Sequence, residues 1–230
     1  MGLQPTIFLN QHRHTMAAHL DLEEQEQLAE LKHFWKTWGN LISWGLIAVL
    51  GSYAAWNGWQ YWQRSQAVKA SALYDEVEKA VIAQDLVRIE RSVADMKDKF
   101  GRTQFAHQAG LLAARSLADK GKAEQARALL TWVAADAPEA ALRDLARLRL
   151  AALQWDTQSA DEALKTLQTS FTAELEPLAA DLKGDLLLEK KQNTEAVAAY
   201  QQAFKGLPVG NEYRRVVQAK LGALGVEVQP

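Results

Sequence analysis

The chain has 230 residues, a formal charge of −2 from 26 Lys and Arg against 28 Asp and Glu, and no cysteine. The lack of cysteine excludes disulfides, thiolate metal sites and a cysteine nucleophile. The part after Trp62 is formally neutral, which argues against nucleic acid as a partner because that needs a basic stripe, and it is long enough to bury one core.

Residues 1–15 show no apolar period and contain Pro5 and the pair His12 and His14. Two histidines without further ligands do not make a metal site. One reading places the translation start at Met16.

Residues 20–38 read LDLEEQEQLAELKHFWKTW. Leu20, Leu28, Leu31 and Trp35 fall near helical spacing, and Asp21 is placed to cap the start. Glu23, Glu24 and Glu26 occupy the first turns and Lys32 and Lys36 the later ones, as the helix dipole favours. This is a solvated amphipathic helix, with partner binding as its functional alternative.

Residues 39–62 contain no Asp, Glu, Lys or Arg. About 20 helical residues cross an apolar layer roughly 30 Å thick, and Leu41 to Tyr61 is that long. Six of the eight tryptophans flank or enter the stretch, at 35, 38, 44, 56, 59 and 62, as expected of rings resting at headgroup level. A cleaved signal peptide is disfavoured, since Tyr61-Trp62-Gln63 offers no small-residue cleavage site. The stretch is expected to be an uncleaved transmembrane signal anchor. Lys32 and Lys36 on one flank balance Arg64 and Lys69 on the other, so the charge bias leaves its orientation open.

From Gln66 onward good helix formers dominate. Two helices are expected over residues 66–100, broken near Asp85, and they carry no clean repeat signature. Beyond them a period emerges. Ala126 has Ala114 twelve residues back, Leu130 four on and Pro138 twelve on, with Gly121 at the turn. Ala163 has Ala151 twelve back, Leu167 four on and Phe171 eight on, with the closing proline displaced to Pro177. Ala196 has Gly184 twelve back, then Tyr200, Ala203, Phe204 and Pro208. The anchors lie 37 and 33 residues apart, near the roughly 34 of a tetratricopeptide repeat. Short side chains let two antiparallel helices approach, and a large apolar residue one turn on fills the hollow beside them. A last, polar helix is expected over residues 210–222, as an end repeat requires. The expected fold is all-α: an N-terminal tail (1–38), one transmembrane helix (39–62) and a solenoid of tetratricopeptide-like α-α hairpins (63–230).

No catalytic motif, cofactor fingerprint or metal-ligand cluster is present in the sequence. His107 stands alone on a helix, as a surface or half-buried residue. Binding is the expected activity. The first helices of stacked hairpins line a concave face, and the register puts Gln108, Arg115, Trp155, Leu178, Asp181 and Asp185 on it as exposed positions. Such a mixed groove suits peptides or unfolded chains. Trp155 reads equally as a contact anchor or as packing between hairpins.

The leader Glu24-Gln25-Glu26-Gln27 through Leu31-Lys32, with Phe34-Trp35, the charge-free helix and the C-terminal repeats together resemble the YfgM family, ancillary subunits of the bacterial SecYEG translocon. The resemblance runs from about Asp21 to the end. It implies a single-pass inner-membrane protein with a cytoplasmic amino terminus and periplasmic repeats. It also implies association with SecYEG and the periplasmic chaperone PpiD, and help for newly translocated, still unfolded clients. No catalytic residue or cofactor comes with it. Two other functions stand beside this one: a membrane-tethered regulator that sequesters a cytoplasmic signalling factor through residues 20–38, and a membrane-bound enzyme, for which no site is visible.

Overall fold

A computed structural model describes residues 22–228. Residues 1–21, with His12, His14, Met16, Leu20 and Asp21, lie outside the described residues. The chain divides into two compact units, one ending at Gln60 and one beginning at Tyr61. Helix α1 (Leu22–Ile82) runs through both.

In the first unit the aromatic and aliphatic side chains of α1 are exposed, among them Trp35, Trp38, Trp44, Leu46, Ile47, Leu50 and Trp56. Polar side chains here bond back onto their own helix: Ser52 Oγ donates to Ala48 O at 2.7 Å and Asn57 Nδ2 to Tyr53 O at 3.0 Å. No helix among the described residues is long and apolar enough to cross a membrane. Residues 39–62, expected to span, carry no Asp, Glu, Lys or Arg but fall short of that apolarity. Freedom from charge is not the same as high hydropathy, and glycine, serine, Asn57 and the amphipathic tryptophans dilute Leu41, Ile42, Leu46, Ile47, Val49 and Leu50.

The second unit is a run of antiparallel helices: the end of α1, then α2 (Leu86–Phe100), α3 (Gln104–Asp119), α4 (Ala123–Asp136), α5 (Ala140–Asp156), α6 (Ala160–Thr166), α7 (Glu176–Glu189), α8 (Asn193–Gly206) and α9 (Glu212–Ala223). Its order comes from one turn used five times. Gln84, Gly121, Gln158, Lys191 and Gly225 all take positive φ, between 54° and 77°. In each case that residue's N–H reaches the carbonyl three back and the next N–H reaches the carbonyl five back, as in Gly121→Ala118, Lys122→Leu117 and Lys191→Leu188, Gln192→Leu187. This pair of bonds is the Schellman closure, which satisfies carbonyls left free at a helix end. The turns place α1/α2, α3/α4, α5/α6 and α7/α8 as four hairpins, with α9 as the first half of a fifth.

Residues 66–100 are therefore a full hairpin in register, not a degenerate one. Counted from the turn, Val77, Ile89 and Val93 stand where later hairpins have Ala114, Ala126 and Leu130, and all three are buried. Asp85 caps α2, accepting from Arg88 N–H at 3.1 Å. The anchors Ala126, Ala163 and Ala196 are fully buried. The hairpins adjoin through three apolar clusters, centred on α2–α5, on α5–α7 and on α7–α9.

Two details of the third hairpin differ from expectation. Helix α6 ends at Thr166, so Phe171 lies in the following irregular segment, half-buried against the α5–α7 cluster. That segment is held by Asp144 of α5, which is 3% exposed. Its Oδ2 accepts from Thr172 N–H at 2.8 Å and its Oδ1 from Arg147 at 2.8 Å. Pro177 does not close this hairpin but opens the next, in the first turn of α7, where its missing N–H costs nothing. His107, expected at or near the surface, is fully buried.

Candidate partner-binding groove

Successive helices alternate direction, so α3, α5 and α7 run parallel to one another as first helices. Between α3 and α5 lies an open groove of about 280 Å³, lined by Ala114, Arg115, Ala118, Asp119, Leu130, Arg149, Ala152, Leu153 and Asp156. Its floor is made of small and aliphatic side chains, because these are the positions where the hairpins must approach closely. Arg149 is half-buried and donates from Nη1 to Leu111 O at 3.3 Å. Burial first, and the neighbouring Arg115 second, push its guanidinium below the ordinary arginine value. Arg115, Asp119 and Asp156 are exposed. Among the described residues, none of these four charged groups has an ion-pair partner. The site thus offers unspent charge around an apolar floor.

At the other end of the array the charges are spent. Lys220 of α9 donates to both oxygens of Asp181 at 2.9 Å and to Asp185 at 2.8 Å. Tyr213 Oη donates to Asp181 at 2.6 Å and Tyr200 Oη to Asp185 at 2.7 Å. Burial and the adjacent carboxylates push both phenols far above their ordinary value. Asp181 is 3% exposed. Arg214 stacks on Phe204, 3.8 Å from the ring centroid, and donates to Phe204 O and Leu207 O. Together these contacts lock α9 onto α7 and α8.

The comparisons with known proteins bear on what such an array is for. The family described as a tetratricopeptide repeat-like domain matches residues 32–226. An ancillary SecYEG translocon subunit of Neisseria gonorrhoeae is 32% identical over 211 residues, 91% of this chain and 100% of the relative. The chain belongs to the YfgM family of ancillary SecYEG translocon subunits. Proteins of the same name from Escherichia coli and Haemophilus influenzae are 29% and 28% identical, covering 88% and 79% of this chain and 97% and 89% of theirs.

For this YfgM-family chain, the six residues expected on the concave face part company. Arg115 lines the groove and meets Arg149 there. Gln108 lies on α3 and Leu178 on α7, both half-buried and away from that groove. Trp155 is half-buried against the α5–α7 cluster and its Nε1 donates to Glu189, so it packs between hairpins. The expectation that Asp181 is exposed is corrected, and Asp185 is only half-buried, because α9 supplies a cation to both. Arg149, Asp119 and Asp156 were not singled out from the sequence. A signal existed: Asp119, Asp156 and Glu189 all stand two residues before the positive-φ residue of their hairpins, a register that needs the turns to be aligned first.

Proposed function

We propose that this protein is a membrane-attached, non-enzymatic adaptor at the Sec translocon, which aids the biogenesis of translocated proteins through protein–protein contacts of its repeats. The observation that carries the proposal is the end-to-end match to proteins named ancillary SecYEG translocon subunits. The repeats supply the binding surface, with the α3–α5 groove as its open part, and its partners are SecYEG, a PpiD-like chaperone and unfolded client chains.

Residues 39–62 are the attachment in this reading. Support comes from their lack of charge and from the exposed apolar and aromatic side chains of α1. The return of Ser52 and Asn57 to their own helix backbone also fits, since a polar group in a lipid-like medium needs an internal partner. In this reading the amino terminus is cytoplasmic and the repeats are periplasmic, as the resemblance to the family implies. Attachment confines the groove near the translocon, so modest affinities suffice at a raised effective concentration.

Two measurements test the reading. The full chain, tagged and solubilised from membranes, should co-purify SecYEG, and deletion of residues 39–62 should abolish recovery. Recovery of the deleted form at the same yield removes the attachment. Protease added to spheroplasts should degrade the repeats while the inner membrane stays intact, and their protection overturns the proposed topology.

A further inference from the structure

Resting on the adaptor reading, we propose that the α3–α5 groove selects an extended peptide segment bearing a carboxylate and a cationic side chain about three residues apart. The groove is electrically polar along its length. Arg149 donates to Leu111 O, which sets its guanidinium beside the turn of α3 that ends at Arg115. From there both helices run the same way. Asp119 lies one turn beyond Arg115 on α3, and Asp156 two turns beyond Arg149 on α5. At about 1.5 Å per residue the guanidinium pair and the carboxylate pair are separated along the groove by roughly 6–10 Å.

The groove's net charge is zero, so it has no general preference for an anionic or a cationic partner. Its charge is instead sorted, arginines at one end and aspartates at the hairpin-turn end. The floor between them is Ala114, Ala118, Ala152, Leu130 and Leu153, suited to small or aliphatic side chains. An extended chain in the polyproline-II form has three residues per turn and advances about 3.1 Å per residue. A Glu and a Lys three positions apart therefore share one face, span about 9 Å and reach both ends at once. A segment with like charges at both positions gains one end and is repelled at the other. Among the described residues none of the four charges has an ion-pair partner, so each is available for this. Small residues, two arginines and two aspartates at these places are more than packing needs, because close approach of α3 and α5 requires only the alanines.

The test uses the full-length chain in detergent micelles and four nine-residue peptides blocked at both ends, flanked by Gly and Ser. Their cores are Glu-Val-Ala-Lys, Glu-Val-Ala-Glu, Lys-Val-Ala-Lys and Gln-Val-Ala-Gln, and binding is read by fluorescence anisotropy. The mixed peptide should bind about fivefold tighter than each like-charged peptide, the worth of one exposed ion pair. Asp119→Lys combined with Asp156→Lys should reverse the order of Glu-Val-Ala-Lys and Glu-Val-Ala-Glu, and Arg115→Glu should narrow the preference for Glu-Val-Ala-Lys over Lys-Val-Ala-Lys. All three positions are exposed, and circular dichroism confirms that the variants keep their helices. Equal binding of all four peptides, an unchanged order in the double variant, or no binding of any peptide overturns the proposal. If SecYEG still co-purifies in that event, the adaptor reading stands without this groove; if SecYEG is lost from the unmodified chain, the adaptor reading itself fails.

Discussion

The ring of Tyr200 lies directly over the bare Cα of Gly184. A Cβ added at Gly184 would stand 2.5 Å from Tyr200 Cε1 and 2.6 Å from Cδ1. The corresponding pairs in the two preceding hairpins are Ala114 with Leu130 and Ala151 with Leu167, all buried. A larger partner on the second helix is thus matched by a smaller one on the first. Gly184→Ala gains up to about 1 kcal/mol of helix propensity but overpacks the core at a cost of about 1–3 kcal/mol. The expected result is a net loss of roughly 1–2 kcal/mol in chemical denaturation. Adding Tyr200→Leu recreates the pair of the other hairpins and should recover part of the loss, seen as a non-additive double-mutant cycle.

Lys220→Met leaves Asp181 buried with Tyr213 as its remaining side-chain donor. Breaking a fully buried pair costs about 3–5 kcal/mol. Here Lys220 keeps 26% side-chain exposure, so about 2 kcal/mol is expected after allowing for screening. The loss should be local. Hydrogen exchange should accelerate in α9 and at the end of α7 while α3 and α4 keep their protection.

His107 should make stability depend on pH. Its Nδ1 lies 2.9 Å from Thr103 O, its ring stacks on Trp132 at 4.8 Å, and its buried Nε2 has no partner. Burial, opposed by the Thr103 bond and by Asp136, lowers its pKa below the ordinary 6.5. The unfolded chain therefore takes up a proton first as pH falls. Its contribution to stability is intact above pH ~6.5 and is lost as the pH drops from there toward the folded value. Denaturation midpoints measured from pH 7.5 to 5 should fall, and His107→Phe should flatten that part of the decline.

Raised phenol values act at the alkaline end. Tyr200 and Tyr213 keep their protons in the folded state while the unfolded phenols ionise near pH 10. Stability is therefore full below about pH 10 and declines above it. Ultraviolet titration of the folded protein should show two tyrosines that ionise only as α9 comes loose. Their ionisation in step with the other tyrosines would contradict the hydrogen-bonded network.

Lys191 and Gln158 occupy the left-handed region at φ 60° and 62°, where a side chain costs about 1–2 kcal/mol. Glycine, already used at Gly121 and Gly225, removes that cost but adds about 0.4–1 kcal/mol of unfolded-state entropy. Each substitution to glycine should raise stability by about 0.5 kcal/mol. The melting temperature of the double variant should rise by about 2–4 °C. A fall would show that these residues contribute contacts beyond the turn.

The helical repeat was legible because its signals are local. Ala126, Ala163 and Ala196 announce close approach, and Gly121 announces a left-handed turn. The first hairpin escaped because Val77, Ile89 and Val93 fill the same register with branched side chains. Three of the five turns also use Gln or Lys where glycine would have marked them. The path of the segment after α6 is fixed by Asp144 reaching Thr172 across 28 residues, a contact no window can contain. At residues 39–62 the sequence shows the lack of charge plainly, yet its mean hydropathy falls short of a span.

What the sequence determined alone is the all-helical hairpin array, since helix propensity, small-residue spacing and Schellman turns each act within a few residues. Only the tertiary structure decided which charges remain available. Asp181 and Asp185 were spent on Lys220, up to 39 residues away, and Trp155 on Glu189, 34 away. Arg115, Asp119, Arg149 and Asp156 were left without an ion-pair partner among the described residues. The reason is that a charge keeps its reach toward a partner only if no neighbouring hairpin brings it a counter-charge, and that depends on how the hairpins stack.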